Sequence, residues 1–243
     1  MSLHVHLVPS LAGVDPGSSV TVEGPEAHHA VAVRRLTVGE PVLLTDGAGH
    51  VATCEVTATG KARMEVQVRS VSSEASPSPE LVVVQALPKG ERGELAVELL
   101  TEVGVARIVP WAAARSVAVW RGDRAAKSLG RWQATAREAA KQARRAWFPE
   151  VSPLATTADV VELLVDAPVA LVLHEEGAEP LPAELPDRVV LVVGPEGGLA
   201  PDELTAFAAA GARTVRLGAE VLRTSTAGVA AVSALLSRTE RWR

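Results

Sequence analysis

The chain has 243 residues, 47% of them hydrophobic and 22% charged, with a formal net charge of -5. This is enough apolar chain for two modest cores or one large one, so wholesale disorder is excluded, and no apolar run is long enough to span a bilayer. The acidic balance argues against a generic nucleic-acid coat, although local clusters rather than the sum govern affinity for phosphates. Five Trp, two Phe and no Tyr leave no aromatic platform of the kind a stacking single-strand binder needs. The start, MSLHVHLVPS, has neither a basic segment nor a long apolar one, so a secretory leader is not expected.

In chain order, residues 1–72 read as a small β domain. Short alternating runs recur at Val20–Val22, Val42–Leu44, Val51–Val56 and Met64–Val71, separated by Asp46-Gly47 with Gly49 and by Thr59-Gly60. The exception is Pro25–Leu36, an Ala-rich stretch that opens on Pro and predicts a short helix. The lone Cys54 falls on the inward side of one run and reads as a small core residue. Residues 73–80, rich in Ser and Pro, read as a linker. From 81 to 243 strands alternate with helices, which predicts a parallel sheet wrapped by helices. The expected strands are Leu81–Leu87, Arg107–Pro110, Val169–His174, Val189–Gly194 and Thr214–Leu217. Helices are expected around 96–103, at Ser128–Ala146, Asp159–Leu164 and Pro201–Ala210, and from Thr226 to about Arg241.

The densest signal lies at 189–227. One strand runs into Gly194-Pro195-Glu196-Gly197-Gly198. This is not G-x-G-x-x-G, no Lys-Ser/Thr follows it, and Glu196 would repel a phosphate. Its glycines admit a ligand close to the main chain, while Pro201, Asp202 and Glu203 suit the start of a helix. The next strand ends in Arg216-Leu217-Gly218 and leads to Leu222-Arg223-Thr224-Ser225-Thr226-Ala227, where Thr226 or Ser225 would cap the last helix. Singly, these are a tight turn and a capped helix. Together, at consecutive strand ends, they predict a pocket of exposed backbone suited to a flat, polar cofactor rather than a metal or a phosphate. His174 with Glu175 and Glu176 is either a third such loop or a polar strand end. Arg131, Arg137, Lys141, Arg144 and Arg145 are either a solvated helix face or, with Lys89 and Arg92, a track for RNA phosphates. His28 and His29 lack the partners a metal site needs, so no metal is expected.

The paired C-terminal elements resemble the signature of the SPOUT superfamily of methyltransferases. Within it the chain is similar to the bacterial 16S ribosomal RNA uracil-N3 methyltransferases. Leu87–Arg92 (LPKGER), Glu98–Gly104 and Ile108–Pro110 resemble that family's opening strand and helix. Arg131-Trp132, Glu138–Gln142 and Arg144 resemble its basic central helix. His28-His29, Arg35-Leu36 and Asp46-Gly47 resemble its N-terminal barrel. Two departures stand out: Ser225 occupies a position where the family carries Glu, and Leu3–His6 lacks the family's early Arg.

The resemblance implies an α/β protein: a C-terminal SPOUT trefoil-knot domain with a parallel sheet, preceded by a small PUA-like β-barrel. It implies methylation of N3 of a uridine in the 16S RNA of the small subunit, with S-adenosylmethionine held by Leu173, His174, Glu175, Gly194–Gly198, Leu217, Gly218, Leu222, Thr224 and Thr226. Arg223 is the expected stabiliser of a developing uracil oxyanion and Glu196 a candidate base. RNA contacts are expected from Arg35, Lys89, Arg92, Arg137, Lys141, Arg144 and Arg145. The protein is expected to be a cytoplasmic homodimer that uses no metal or membrane. Other expectations stay open: a different RNA base or a ribose 2′-OH as target, a non-catalytic RNA-binding module, or a nucleotide-binding α/β protein.

Overall fold

The computed structural model describes residues 3–242. It divides into two units: Met1–Ser76 with Lys141–Phe148, and Pro77–Ala140 with Pro149–Arg243.

The first unit is a curled five-stranded sheet in the order β1-β3-β4-β5-β2: β1 His4–Leu7, β2 Ser19–Glu23, β3 Pro41–Thr45, β4 His50–Gly60 and β5 Arg63–Ser73. The predicted alternation holds. Ala52, Cys54 and Val56 of β4 and Met64, Val66 and Val68 of β5 all point into one core with Val42 and Leu44. Burial pushes the Cys54 thiol up to about 11, which leaves it unreactive. The Asp46 carboxylate accepts from the backbone N–H groups of Leu11, Ala48 and His50. Burial works to raise it, but these donors and the His50 ring hold it below the ordinary carboxylate range.

The predicted helix at Pro25–Leu36 is shorter than expected. It forms as α1, Gly24–His28, followed by a wider π turn over His29–Val33, and the chain turns away at Arg35 with φ 58.

The segment Lys141–Phe148 groups with this unit, and Lys141, expected as a phosphate contact, is engaged by a carboxylate here. Its side chain is only 9% exposed, and Nζ lies 2.8 Å from Glu26 Oε1. His6 Nδ1 approaches the other Glu26 oxygen at 3.7 Å. Burial alone would raise the Glu26 carboxyl, but His6 and the Lys141 ion pair together hold it down at about 2. A carboxyl depressed in the folded state stabilises fully above its ordinary value of 4.5, and the contribution is lost as pH falls towards 2. Acid denaturation of the wild type followed by circular dichroism is therefore expected to steepen across this window, and Glu26→Gln to remove that slope. Farther along the segment, Trp147 Nε1 donates to the Glu74 carbonyl at 2.9 Å and the Phe148 N–H to the Gly47 carbonyl at 2.9 Å.

The second unit is a six-stranded, wholly parallel sheet in the order β11-β9-β10-β6-β7-β8. Its strands are β6 Glu80–Ala86, β7 Arg107–Trp111, β8 Glu150–Val151, β9 Val169–Leu173, β10 Arg188–Val193 and β11 Arg213–Val215. The continuous apolar runs of β6 and β10 follow from burial on both faces. Leu81, Val83, Val189, Leu191 and Val193 join one core with Leu100, Trp132 and Leu235. Val82, Val84, Val190 and Val192 join another with Val160, Leu164 and Phe207. The first core is covered by α2 (Arg92–Glu102), α3 (Asp123–Gln142) and α6 (Thr224–Leu236), the second by α4 (Thr157–Val165) and α5 (Pro201–Ala209).

The helix ends differ from expectation. α3 starts five residues earlier than predicted and stops at Gln142, because Arg144 adopts a left-handed φ of 53 that an α-helix cannot contain. Arg144 and Arg145 therefore do not continue the helical face that carries Arg137. α6 begins at Thr224 rather than Thr226 and ends at Leu236, before a short 3-10 turn at Glu240–Trp242. The small residues of α6 serve the core of this unit: a Cβ on Gly228 would lie 3.2 Å from Leu100 Cδ2 and 3.3 Å from Val193 Cγ2.

Candidate functional site

β11, β9 and β10 are adjacent and parallel, so their carboxyl ends open on one side of the sheet, where ligands of such sheets bind. A cavity of about 730 Å³ lies there, within the range of about 300–1,000 Å³ usual for small-molecule sites. Three loops meet around it. The first supplies Leu173, His174 and Glu175, the second Gly194–Gly198, and the third Leu217, Gly218, Leu222, Arg223 and Thr224. These are the strand-end residues singled out from the sequence, with one exception: Thr226 does not line the cavity. Its hydroxyl turns back to the Arg223 carbonyl at 3.2 Å, inside the first turn of α6. The expected side-chain cap by Thr226 or Ser225 is absent, because the helix starts at Thr224, with Arg223 at the N-cap and no side-chain bond there. Ser225 is buried at 4% exposure and also lies off the cavity lining.

Each loop is fixed by contacts of its own. In the first, His174 Nδ1 accepts the Glu176 N–H at 3.2 Å, so a neutral ring carries its proton on Nε2. A Cβ on Gly177 would fall 2.6 Å from the Val215 carbonyl carbon, so only glycine lets this loop lie against β11. In the second, Gly198 turns the chain at φ 71, and Arg115 Nη1 holds the carbonyls of Gly197 and Leu199 at 3.4 and 3.2 Å. Glu196 Oε1 accepts the Lys89 N–H at 3.2 Å, tying this loop to the one before α2. In the third, Arg216 Nε donates to the Gly218 carbonyl at 2.6 Å and Nη2 to that of Ala219 at 3.4 Å.

Sequence reasoning missed three of these residues. Arg115 and Arg216 line the cavity as well as bracing it. Glu203, read only as a complement to the helix dipole, is 4% exposed. Its carboxylate accepts the Ala114 N–H at 2.7 Å and the Ala200 N–H at 2.9 Å, joining the start of α5 to the loop that carries Arg115. Glu203→Ala leaves both donors without their acceptor and is expected to cost about 1–3 kcal/mol of stability, measured by urea unfolding.

Arg92 lines the same cavity. Lys89 is exposed at its edge through the bond to Glu196, and Arg137 is exposed on α3. Arg35 belongs to the first unit. The side chain of Arg223 is exposed at the cavity and makes no hydrogen bond or ion pair among the described residues. No group of three or more His, Cys, Asp or Glu among the described residues is arranged to hold a metal ion, and no helix among them is long and apolar enough to cross a membrane.

The lining is thus rich in main-chain donors and acceptors on glycine-bearing turns, with cations at the rim. That composition fits a flat heterocycle with a sugar and a charged tail. The chain itself matches two known families of domain. Residues 74–236 match the RNA methyltransferase domain and residues 22–69 the RNA methyltransferase PUA domain. A ribosomal RNA small subunit methyltransferase E from Mycobacterium tuberculosis is 46% identical over 94% of this chain and 90% of its own. The protein of the same description from Bacillus subtilis is 29% identical over 93% of each. Among solved structures, a ribosomal RNA small subunit methyltransferase E from Neisseria gonorrhoeae, bound to S-adenosyl methionine, superposes with a TM-score of 0.86 at 28% identity, covering 97% of this chain and 98% of that one. A Legionella pneumophila protein in complex with bound SAM does so with a TM-score of 0.89 at 27% identity, covering 98% of both chains.

Proposed function

This chain belongs to the RNA methyltransferase family that includes the ribosomal RNA small subunit methyltransferases E, and from that premise we propose that it methylates N3 of a uridine in 16S ribosomal RNA. The cofactor is S-adenosylmethionine, which when bound supplies an electrophilic methyl on a good leaving group. The carrying observation is the cavity at three adjacent strand ends, with an unengaged guanidinium at its rim.

The backbone of Leu173–Glu175, Gly194–Gly198 and Leu217–Leu222 would hold the adenine and ribose, and their rigidity would supply positioning, which carries much of a displacement of this kind. Arg115 and Arg216 act indirectly, by holding those loops in shape.

Uracil N3 carries a proton that must leave before or during attack. Arg223 would stabilise the negative charge that develops on the uracil carbonyl oxygens. Glu196 is exposed at the cavity and uses Oε1 for the Lys89 N–H, and its Oε2 would receive the N3 proton. Because N3 lies on the pairing edge, the uridine must be unpaired and turned out of its stack.

Lys89, Arg92 and Arg137 in the second unit, and Arg35, Arg144 and Arg145 in the first, would track the RNA phosphates, with the first unit as the RNA-binding domain. A homodimer is part of this reading. Val221, 77% exposed, and Leu222, 40% exposed, put apolar side chains at the cavity where a second copy would cover them, and sedimentation is expected to give twice the chain mass. The cytoplasm, where ribosomal subunits are assembled, is its expected place of work. Incubation with small subunits lacking the modification, followed by nucleoside mass spectrometry, is expected to yield N3-methyluridine. A methyl group on another base or on a ribose oxygen would reject the assignment.

A further inference from the structure

A second cavity, of about 280 Å³, takes no part in the chemistry above. It shares the first turn of α2 with the larger one: Arg92 lines the cofactor cavity, while Gly93 and Glu94, with Gly90 just before the helix, line this one. Trp120 and Trp132 line it too, meeting edge to face with ring centres 5.1 Å apart. Trp132 is 3% exposed, and a Cβ on Gly93 would lie 2.9 Å from its Nε1, so the indole nitrogen faces the cavity-lining turn of α2. Trp111 and Trp147 donate their indole N–H groups to protein acceptors, whereas Trp120 and Trp132 donate to none among the described residues.

The polar groups at this cavity form a set. Arg131 Nη2 donates to Ser128 Oγ at 3.3 Å, and its Nε lies 3.7 Å from Glu94 Oε1. The N-cap of α2 provides no side-chain acceptor for the first N–H groups of the helix. Arg121, Arg124 and Lys127 are exposed in the residues that lead into and begin α3.

We propose that this cavity is a second nucleotide subsite, which takes an unpaired guanine next to the uridine that is methylated. The inference rests on RNA being the substrate. The half-exposed Trp120 ring offers a flat apolar surface on which a splayed-out base packs. A carboxylate accepts best from two adjacent N–H donors, and among the bases only guanine presents that pair, N1–H and N2–H, on its pairing edge. Arg131 and the unpartnered indole N–H groups supply donors for O6 and N7. The exposed cations nearby suit the flanking phosphates. Two bases held on either side of one helical turn would set the register of the strand, so that the neighbour selects which uridine reaches the cofactor.

The test uses the full chain labelled with 15N at tryptophan, with the five indole N–H signals assigned by Trp→Phe replacements. GMP is expected to shift the Trp120 and Trp132 signals saturably. UMP, which shares the phosphate but not the donor pair, is expected to need about tenfold more, and Glu94→Gln to weaken GMP by about tenfold. The same variant is expected to raise KM for ribosomal RNA while leaving S-adenosylmethionine affinity unchanged. Signals unmoved by GMP, or moved equally by UMP, would overturn the subsite, even with S-adenosylmethionine bound and RNA methylated normally. GMP binding here in a protein that methylates no RNA would leave the subsite standing and remove the methyltransferase reading instead.

Discussion

Replacing Arg223 with Ala is expected to lower kcat on ribosomal RNA by about 10²–10³, the usual cost of removing one preorganised donor from a developing oxyanion. S-adenosylmethionine affinity, measured by calorimetry, is expected to stay close to that of the wild type. The split follows from how Arg223 is built into the chain. Its backbone forms the N-cap of α6 with φ -68 and ψ 150, a conformation open to any residue, and its carbonyl accepts the Thr226 and Ala227 N–H groups. Its guanidinium braces nothing among the described residues. The helix start therefore survives truncation while the charge at the rim disappears. Arg216 is the contrast. Its guanidinium holds the carbonyls of Gly218 and Ala219, so Arg216→Ala is expected to weaken cofactor binding and turnover together. Equal loss of both activities in Arg223→Ala would give that residue a structural role and remove it from the chemistry.

Replacing Lys141 with Met is expected to destabilise the first unit by on the order of 3 kcal/mol, since removal of one partner of a largely buried ion pair leaves the other charge uncompensated. Glu26 is then left facing His6 with its main counter-charge gone. The double variant Lys141→Met with Glu26→Gln is expected to recover much of the loss, and the coupling in that cycle measures the pair. Denaturant unfolding provides the readout. The folded fraction of Lys141→Met is expected to bind ribosomal RNA with unaltered salt dependence. Normal stability with a salt slope reduced by about one would return Lys141 to the RNA surface.

Lys141 shows what a sequence hides. In the run Arg137 to Arg145 every cation reads alike, and only the chain reversal at Arg144 and the carboxylate of Glu26, distant in sequence, separate the buried one from the rest. β1 was hidden for a related reason. Its inward residue is His6, 1% exposed, so the hydrophobic alternation that betrays a half-buried strand is missing. The two-residue β8 is too short to carry any pattern. By contrast, the loops that line the larger cavity were legible as loops at strand ends because their signals are local: a continuous apolar strand, then glycines, then a helix start. Thr226 was expected at the cavity because the last helix was expected to begin there; α6 begins two residues earlier, and its first turn draws the Thr226 hydroxyl back to the Arg223 carbonyl. Arg115, and Glu203 in its bond with the Ala114 N–H, were out of reach, because these contacts join backbone groups more than eighty residues away, and no spacing rule reports that. The coarse architecture, a small β unit before a parallel sheet wrapped by helices, followed from patterns that do not depend on such contacts.

The most direct test is a crystal structure of the full chain grown with S-adenosylmethionine. The adenine and ribose are expected in the cavity of about 730 Å³, against main-chain groups of all three loops after β9, β10 and β11, with the methyl group towards Arg223. Density for the cofactor elsewhere, with these three loops making no contact to it, would contradict the account.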